Sequence, residues 1–133
     1  MSYEGPIIDV DVHHSYSRAS DLVAYLPERY RELVNGSSIT PNPHYGHLTP
    51  TAGSNIRLDA FPDSGLPGSD FSLMERQLLD PMHIQRAILT FNTGQEVGHE
   101  NVGMAIAAAS ALNDWCVDKW LSGDDRMFGM IIV

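Results

Sequence analysis

Apolar and ionisable side chains alternate along Ile8-Asp9-Val10-Asp11-Val12-His13. That period of two belongs to a β-strand, whose side chains face opposite sides of a sheet in turn. It predicts a strand over residues 6–12 and puts Asp9, Asp11 and His13 on one face. Residues 15–20 are a polar connection. Ser20-Asp21 then offers an N-cap ahead of Leu22, Val23, Tyr25 and Leu26, because a short side-chain oxygen satisfies the free N–H groups of a first helical turn. Pro27 interrupts that helix, yet Pro-Glu-Arg is a favourable restart. A second helical piece is expected over 28–34, ended by Asn35-Gly36.

The pattern fails over 36–69. Gly, Pro, Ser, Asn and Thr crowd this stretch and no period is sustained, so it reads as a loop insertion whose functional use would be a lid. Periodicity returns after Asp70, a capping residue, with a helical stripe of Leu73, Met74, Gln77 and Leu78 that stops at Asp80-Pro81. Arg86-Ala87-Ile88-Leu89-Thr90-Phe91 shows little alternation, as expected of a strand covered on both faces. A polar, Gly-containing loop occupies 92–101. A long helix is expected over 102–121, with Val102, Ile106, Ala109, Asn113, Cys116, Val117 and Trp120 as its inward stripe. Ser122-Gly123-Asp124-Asp125 is a turn, and 127–133 is a last apolar strand.

Strands separated by helices in this order imply parallel βα units and an α/β fold. A closed (β/α)8 barrel takes about 250 residues, whereas this chain has 133. The expected architecture is either a small open α/β domain or the amino-terminal part of a longer barrel, and an ending on a buried-type strand favours the second. Residues 1–133 read as one unit, with 36–69 inserted in it.

Composition narrows the partners. Hydrophobic residues make up 43% of the chain, which suits a globular domain. No apolar run is long enough to span a bilayer. The first residues lack the basic and apolar regions of a secretory leader. Cys116 is the single cysteine; it excludes an internal disulfide and suits a reducing, cytoplasmic setting. The net charge is −9, with only eight Lys and Arg. A phosphate-tracking surface needs clustered basic groups, so neither nucleic acid nor a membrane is an expected partner. The sequence holds no Gly-x-Ser-x-Gly elbow, no phosphate-binding Gly-Lys loop and no Gly-x-Gly-x-x-Gly fingerprint, which leaves serine-hydrolase, nucleotide and dinucleotide chemistry without support.

The candidate chemistry gathers at the first strand. Asp11 and His13 stand two residues apart at its end, and a carboxylate with an imidazole is a ligand pair for a divalent metal. The alternative is a hydrogen-bonded polar pair. Asp9 either joins them or accepts backbone N–H groups at the strand start, and the second role is preferred. His14 should point away from His13 and be structural. His44 and His47 fall in the insertion, where Pro41 and Pro43 argue against a helix; they read as exposed loop histidines or lid contacts. Asn92 and His99 follow the second strand and are candidates for substrate contact. Asn113 interrupts an apolar stripe and must find partners, so it is expected to tie the helix to a loop. Cys116 reads as core and not as a nucleophile. Trp115 and Trp120 read as packing residues, and Glu96 and Glu100 as solvated.

Three segments together resemble the metal-dependent amidohydrolase family that includes aminocarboxymuconate-semialdehyde decarboxylase and related decarboxylases and hydratases. They are Ile8-Asp9-Val10-Asp11-Val12-His13, Leu78-Leu79-Asp80-Pro81-Met82-His83-Ile84-Gln85-Arg86-Ala87-Ile88-Leu89, and Ala111-Leu112-Asn113-Asp114-Trp115 followed by Asp125-Arg126-Met127-Phe128-Gly129. Tyr25-Leu26-Pro27-Glu28-Arg29-Tyr30 is similar as well. The resemblance implies a TIM (β/α)8 barrel, of which this chain would be the first few βα units, with its site at the carboxyl ends of the strands. It implies metal ligands at the end of the first strand, where the family often has His-x-His. Here Asp11 takes the first of those positions and His13 the second, like a subgroup with Asp-x-His. The implied cofactor is a divalent metal, zinc first and manganese as the alternative. A later histidine, and a later aspartate acting as general base, would lie beyond residue 133, so binding by this part alone should be weak. The implied activity is hydrolysis of a small carboxylate- or amide-containing substrate by metal-activated water. Non-oxidative decarboxylation and a non-catalytic partial-barrel interaction module remain alternatives. A homo-oligomer is the expected assembly of the full-length protein.

Overall fold

The computed structural model describes residues 5–18, 20–36, 56–91 and 101–133. Its elements follow the predicted order: β1 (Ile7–His14), α1 (Ser20–Val23), α2 (Glu28–Gly36), α3 (Phe71–Met74), β2 (Ile84–Phe91), α4 (Val102–Cys116) and β3 (Met127–Gly129). Among the described residues the strands make one parallel sheet in the order β1-β2-β3. The α/β class expected from the strand–helix alternation is therefore present. His44, His47, Asn92, Glu96, His99 and Glu100 lie outside the described residues, as does most of the expected insertion.

Helix starts follow local polar chemistry. Asp70 caps α3 by accepting the Leu73 N–H at 2.7 Å, as its position predicts. Asp21 works from inside α1 and reaches back, accepting the N–H groups of Ser17 at 3.1 Å and Arg18 at 3.0 Å. Asn101 caps α4 through the Met104 N–H at 3.1 Å. Both α3 and α4 run on into a π turn, Glu75–Leu79 and Val117–Leu121 respectively.

The inward face of α4 differs from the expected stripe. Met104, Ala107, Ala111, Leu112 and Trp115 are buried, while Val102, Ile106 and Val117 are 70%, 64% and 57% exposed. Ala109, Cys116 and Trp120 are buried as anticipated. A helix this rich in alanine offers two apolar stripes of similar pattern, and the larger anchors decide between them because buried area scales with size. The wide π turn then rotates the chain, so that Trp120 joins the buried face and Lys119 stays outside. One core cluster packs Leu79, Leu112, Trp115 and Trp120 against Val12, Ala87 and Leu89 of the sheet. A second joins Leu26 to Met104, Ala107 and Ala111.

The last strand is shorter than the apolar run 127–133. Beyond Gly129, the Met130 N–H still donates to the Leu89 carbonyl at 3.0 Å. Asn113 on α4 then takes both backbone groups of Ile132: its Nδ2 donates to the carbonyl at 2.8 Å, and its Oδ1 accepts the N–H at 3.0 Å. The expected tie from Asn113 to a loop is real, and it removes from Ile132 the groups a longer ladder would use.

Candidate metal centre

β1 does not keep its alternation to the end. Asp9 pairs with Ala87, but Val12 pairs with Leu89, so three steps on β1 face two on β2. This one-residue slip is a bulge, and a bulge exchanges which face each side chain takes. Cross-strand partners share a face. Asp9 therefore lies on the side of buried Ala87 and Leu89, where α3 and α4 pack. Asp11 and His13 lie on the opposite, open side with Thr90, the partner of His13. The expectation that Asp9, Asp11 and His13 share one face is thus corrected. Asp9 takes the role preferred for it, since its Oδ1 accepts the Asp11 N–H at 3.1 Å.

The open side holds a compact polar group. The Thr90 Oγ1 donates to the Asp11 Oδ1 at 3.0 Å, and the same Oδ1 lies 3.8 Å from the His13 Nδ1. The two side chains are 66% and 50% exposed, so neither has been forced into an apolar setting. Two ligands of a tetrahedral zinc ion, at bond lengths of about 2.0–2.2 Å, sit about 3.4 Å apart. The Asp11–His13 separation is a few tenths of an ångström longer, which small side-chain rotations close. The donor set, one carboxylate and one imidazole, suits zinc and tolerates manganese. Among the described residues, no third His, Cys, Asp or Glu joins them in a metal-binding group, and two ligands alone would fill only part of a zinc coordination shell.

The surroundings fix the backbone of this strand end. The Ser15 N–H donates to the Gly68 carbonyl at 2.8 Å. Gly68 has φ +76°, and a Cβ added there would lie 2.7 Å from the His13 carbonyl oxygen. Only glycine accepts both that backbone and that approach. Along the same edge runs a cavity of about 590 Å³, bordered by Asp9, Asp11 and His13 on the strand and by Leu73, Met74 and Leu78 on the helical segment after Asp70. Among the described residues, no Lys or Arg lines it.

His14, one residue on, has the opposite environment. It is fully buried and walled by the rings of Phe91, Trp115 and Trp120 at centroid distances of 4.2, 5.8 and 5.3 Å. Its Nδ1 lies 2.9 Å from the Thr90 carbonyl; a carbonyl can only accept, so Nδ1 carries the proton. The Nε2 is buried without a hydrogen-bond partner. Burial pushes the imidazole down to about 4 from its ordinary 6.5, against the raising effect of the Thr90 bond, and the nearby His13 lowers it further. The structural role expected for His14 fits this setting. Cys116 is likewise core: burial pushes its thiol up to about 11, which removes the thiolate a nucleophile needs.

Thr90 is the residue that sequence reasoning passed over. In the sequence it is one polar position in an apolar run, and only the β1–β2 register shows that its hydroxyl meets Asp11. No protein-family model and no curated protein matches this chain.

Proposed function

We propose that this chain is the amino-terminal part of a metal-dependent hydrolase of the amidohydrolase type, in which Asp11 and His13 are the first two metal ligands. The observation that carries the reading is the Asp11–His13 pair beside Thr90 on the uncovered side of a parallel sheet, near the carboxyl end of β1. In open parallel sheets, ligands bind outside the carboxyl ends of the strands. A bound divalent ion would supply Lewis acidity, polarising a carbonyl or carboxylate oxygen or acidifying a water. The chain's own residues orient that chemistry. Asp11 would contribute a carboxylate ligand and His13 an imidazole, and Leu73, Met74 and Leu78, which meet them at the cavity along the sheet edge, an apolar surface for the uncharged body of a small substrate. Because no Lys or Arg lines the cavity among the described residues, a substrate carboxylate would depend on the metal for its counter-charge. Decarboxylation of such a substrate would use the same groups. Further ligands and a general base would come from segments outside this chain.

A non-catalytic α/β interaction module is the second reading, favoured by the exposure of Ile8 and Val10 on β1 at 52% and 64%. Metal titration separates the two. Purified chain titrated calorimetrically with zinc chloride, and separately with manganese chloride, should bind one ion with a dissociation constant weaker than a complete site gives. Asp11→Ala and His13→Ala should each weaken binding by at least about tenfold. Wild-type chain that binds neither ion, or variants that bind like wild type, would refute the metal reading.

A further inference from the structure

We infer that Thr90 is a positioning residue for the metal-ligating carboxylate of Asp11, a role that rests on the metal reading above. Its hydroxyl donates to the Asp11 Oδ1 at 3.0 Å, and no hydrogen bond involves the Oδ2 among the described residues. The oxygen that Thr90 holds is the one that lies 3.8 Å from the His13 Nδ1, so the hydroxyl fixes the carboxylate relative to the imidazole. Outer partners of this kind restrict the rotation of a ligand and are often as consequential as the ligand itself.

Thr90 is itself fixed from three directions. It sits on the central strand β2, paired across the ladder with His13. Its carbonyl accepts from the buried His14 ring at 2.9 Å. That ring is held between Phe91, Trp115 and Trp120. Branching at Cβ restricts the χ1 rotation of Thr90. The chain of contacts therefore runs from an aromatic box, through His14, to the Thr90 backbone, and from the Thr90 hydroxyl to Asp11. The bulge between Asp9 and Val12 completes it, because a regular strand in that register would not bring Asp11 to the same side as Thr90.

The hydroxyl could instead be a cross-strand hydrogen bond that only stabilises the sheet, and the two roles differ in what they move. Thr90→Val keeps the branched shape and removes the donor, Thr90→Ala is a second probe should the valine variant fail to fold, and Thr90→Ser restores the hydroxyl. Zinc titration of the full chain is the readout, with thermal unfolding of the metal-free proteins run beside it. The expected result is about tenfold weaker zinc binding in Thr90→Val or Thr90→Ala, and binding within about threefold of wild type in Thr90→Ser. Unchanged zinc affinity in the Thr90 variants, with binding still lost in Asp11→Ala and His13→Ala, overturns the positioning role alone. Equal weakening in Thr90→Ser overturns it too. A wild-type chain that binds no zinc overturns both this role and the metal reading.

Discussion

Lowering the pH should destabilise this protein through His14. The folded chain keeps the ring neutral, because burial pushes its pKa to about 4, whereas an unfolded chain titrates near the ordinary 6.5. The sign follows from proton counting. Between these two values the unfolded state holds the proton and the folded state does not, so acid favours unfolding. The stability contributed by His14 is complete above pH 6.5, declines as pH falls, and levels off below about pH 4. One pH unit of separation is worth about 1.4 kcal/mol, so the separation caps the loss at about 3 kcal/mol. At pH 5.5 the loss is about 1.4 kcal/mol, a large part of the roughly 5–15 kcal/mol that stabilises an ordinary domain. The assay is urea unfolding at pH 7.5 and 5.5 with EDTA present. Trp115 and Trp120 report by fluorescence, since both rings lie within 6 Å of the imidazole. With a slope of about 1–3 kcal/mol per molar urea, the midpoint should fall by about 0.5–1.4 M. His14→Phe retains an aromatic ring in the box and cannot titrate. It leaves the Thr90 carbonyl without its donor, at a cost of about 1 kcal/mol that is the same at every pH. Carboxylates held low by basic partners, such as Asp124 beside Arg126, remain in both proteins and cancel in the comparison. If His14→Phe loses as much stability as wild type between pH 7.5 and 5.5, protons are not being excluded at this ring, and His14 is not the source of the acid sensitivity.

Two further outcomes test the supports of the site and the sheet. Gly68→Ala should cost about 1–3 kcal/mol, because its φ of +76° and the 2.7 Å approach to the His13 carbonyl both oppose a side chain; chemical unfolding measures the cost, and a change of under 0.5 kcal/mol would mean that the loop does not press on β1. Asn113→Ala removes two hydrogen bonds to the Ile132 backbone and should cost about 1–2 kcal/mol, with faster amide hydrogen exchange at Ile132 while Leu89 stays protected; unchanged exchange at Ile132 would show that the tie contributes nothing.

The fold was legible where sequence period and capping chemistry act locally. The Ile8–His13 alternation marked a strand, Asp70 marked a helix start, and Asn113 announced a tether because a polar group on an apolar stripe needs partners. What stayed hidden depends on neighbours distant in sequence. The slip between Asp9 and Val12 is defined only against β2, so alternation read on β1 alone put Asp9 on the wrong side. The buried face of α4 was misread because Val102-Gly103-Met104-Ala105-Ile106-Ala107-Ala108-Ala109 supplies apolar residues all round the helix, and the choice between faces falls to Leu112, Trp115 and Trp120. At the site, Asp11 and His13 were visible as a spacing. Thr90 was not, because a hydroxyl on a strand has no signature until its cross-strand partner is known.

The slip in β1 also governs how negative charge is distributed in a protein of net charge −9. In an unbroken strand, residues two apart stand about 6.5–7 Å from each other on one face, and two carboxylates there repel by about 0.6 kcal/mol even in bulk water and by more near a low-dielectric surface. The bulge places the Asp9 and Asp11 charges on opposite sides of the sheet and gives the first a backbone N–H to bind. The uncovered side of β1 is left with Asp11 as its one carboxylate, so the negative charge there is set by a single group.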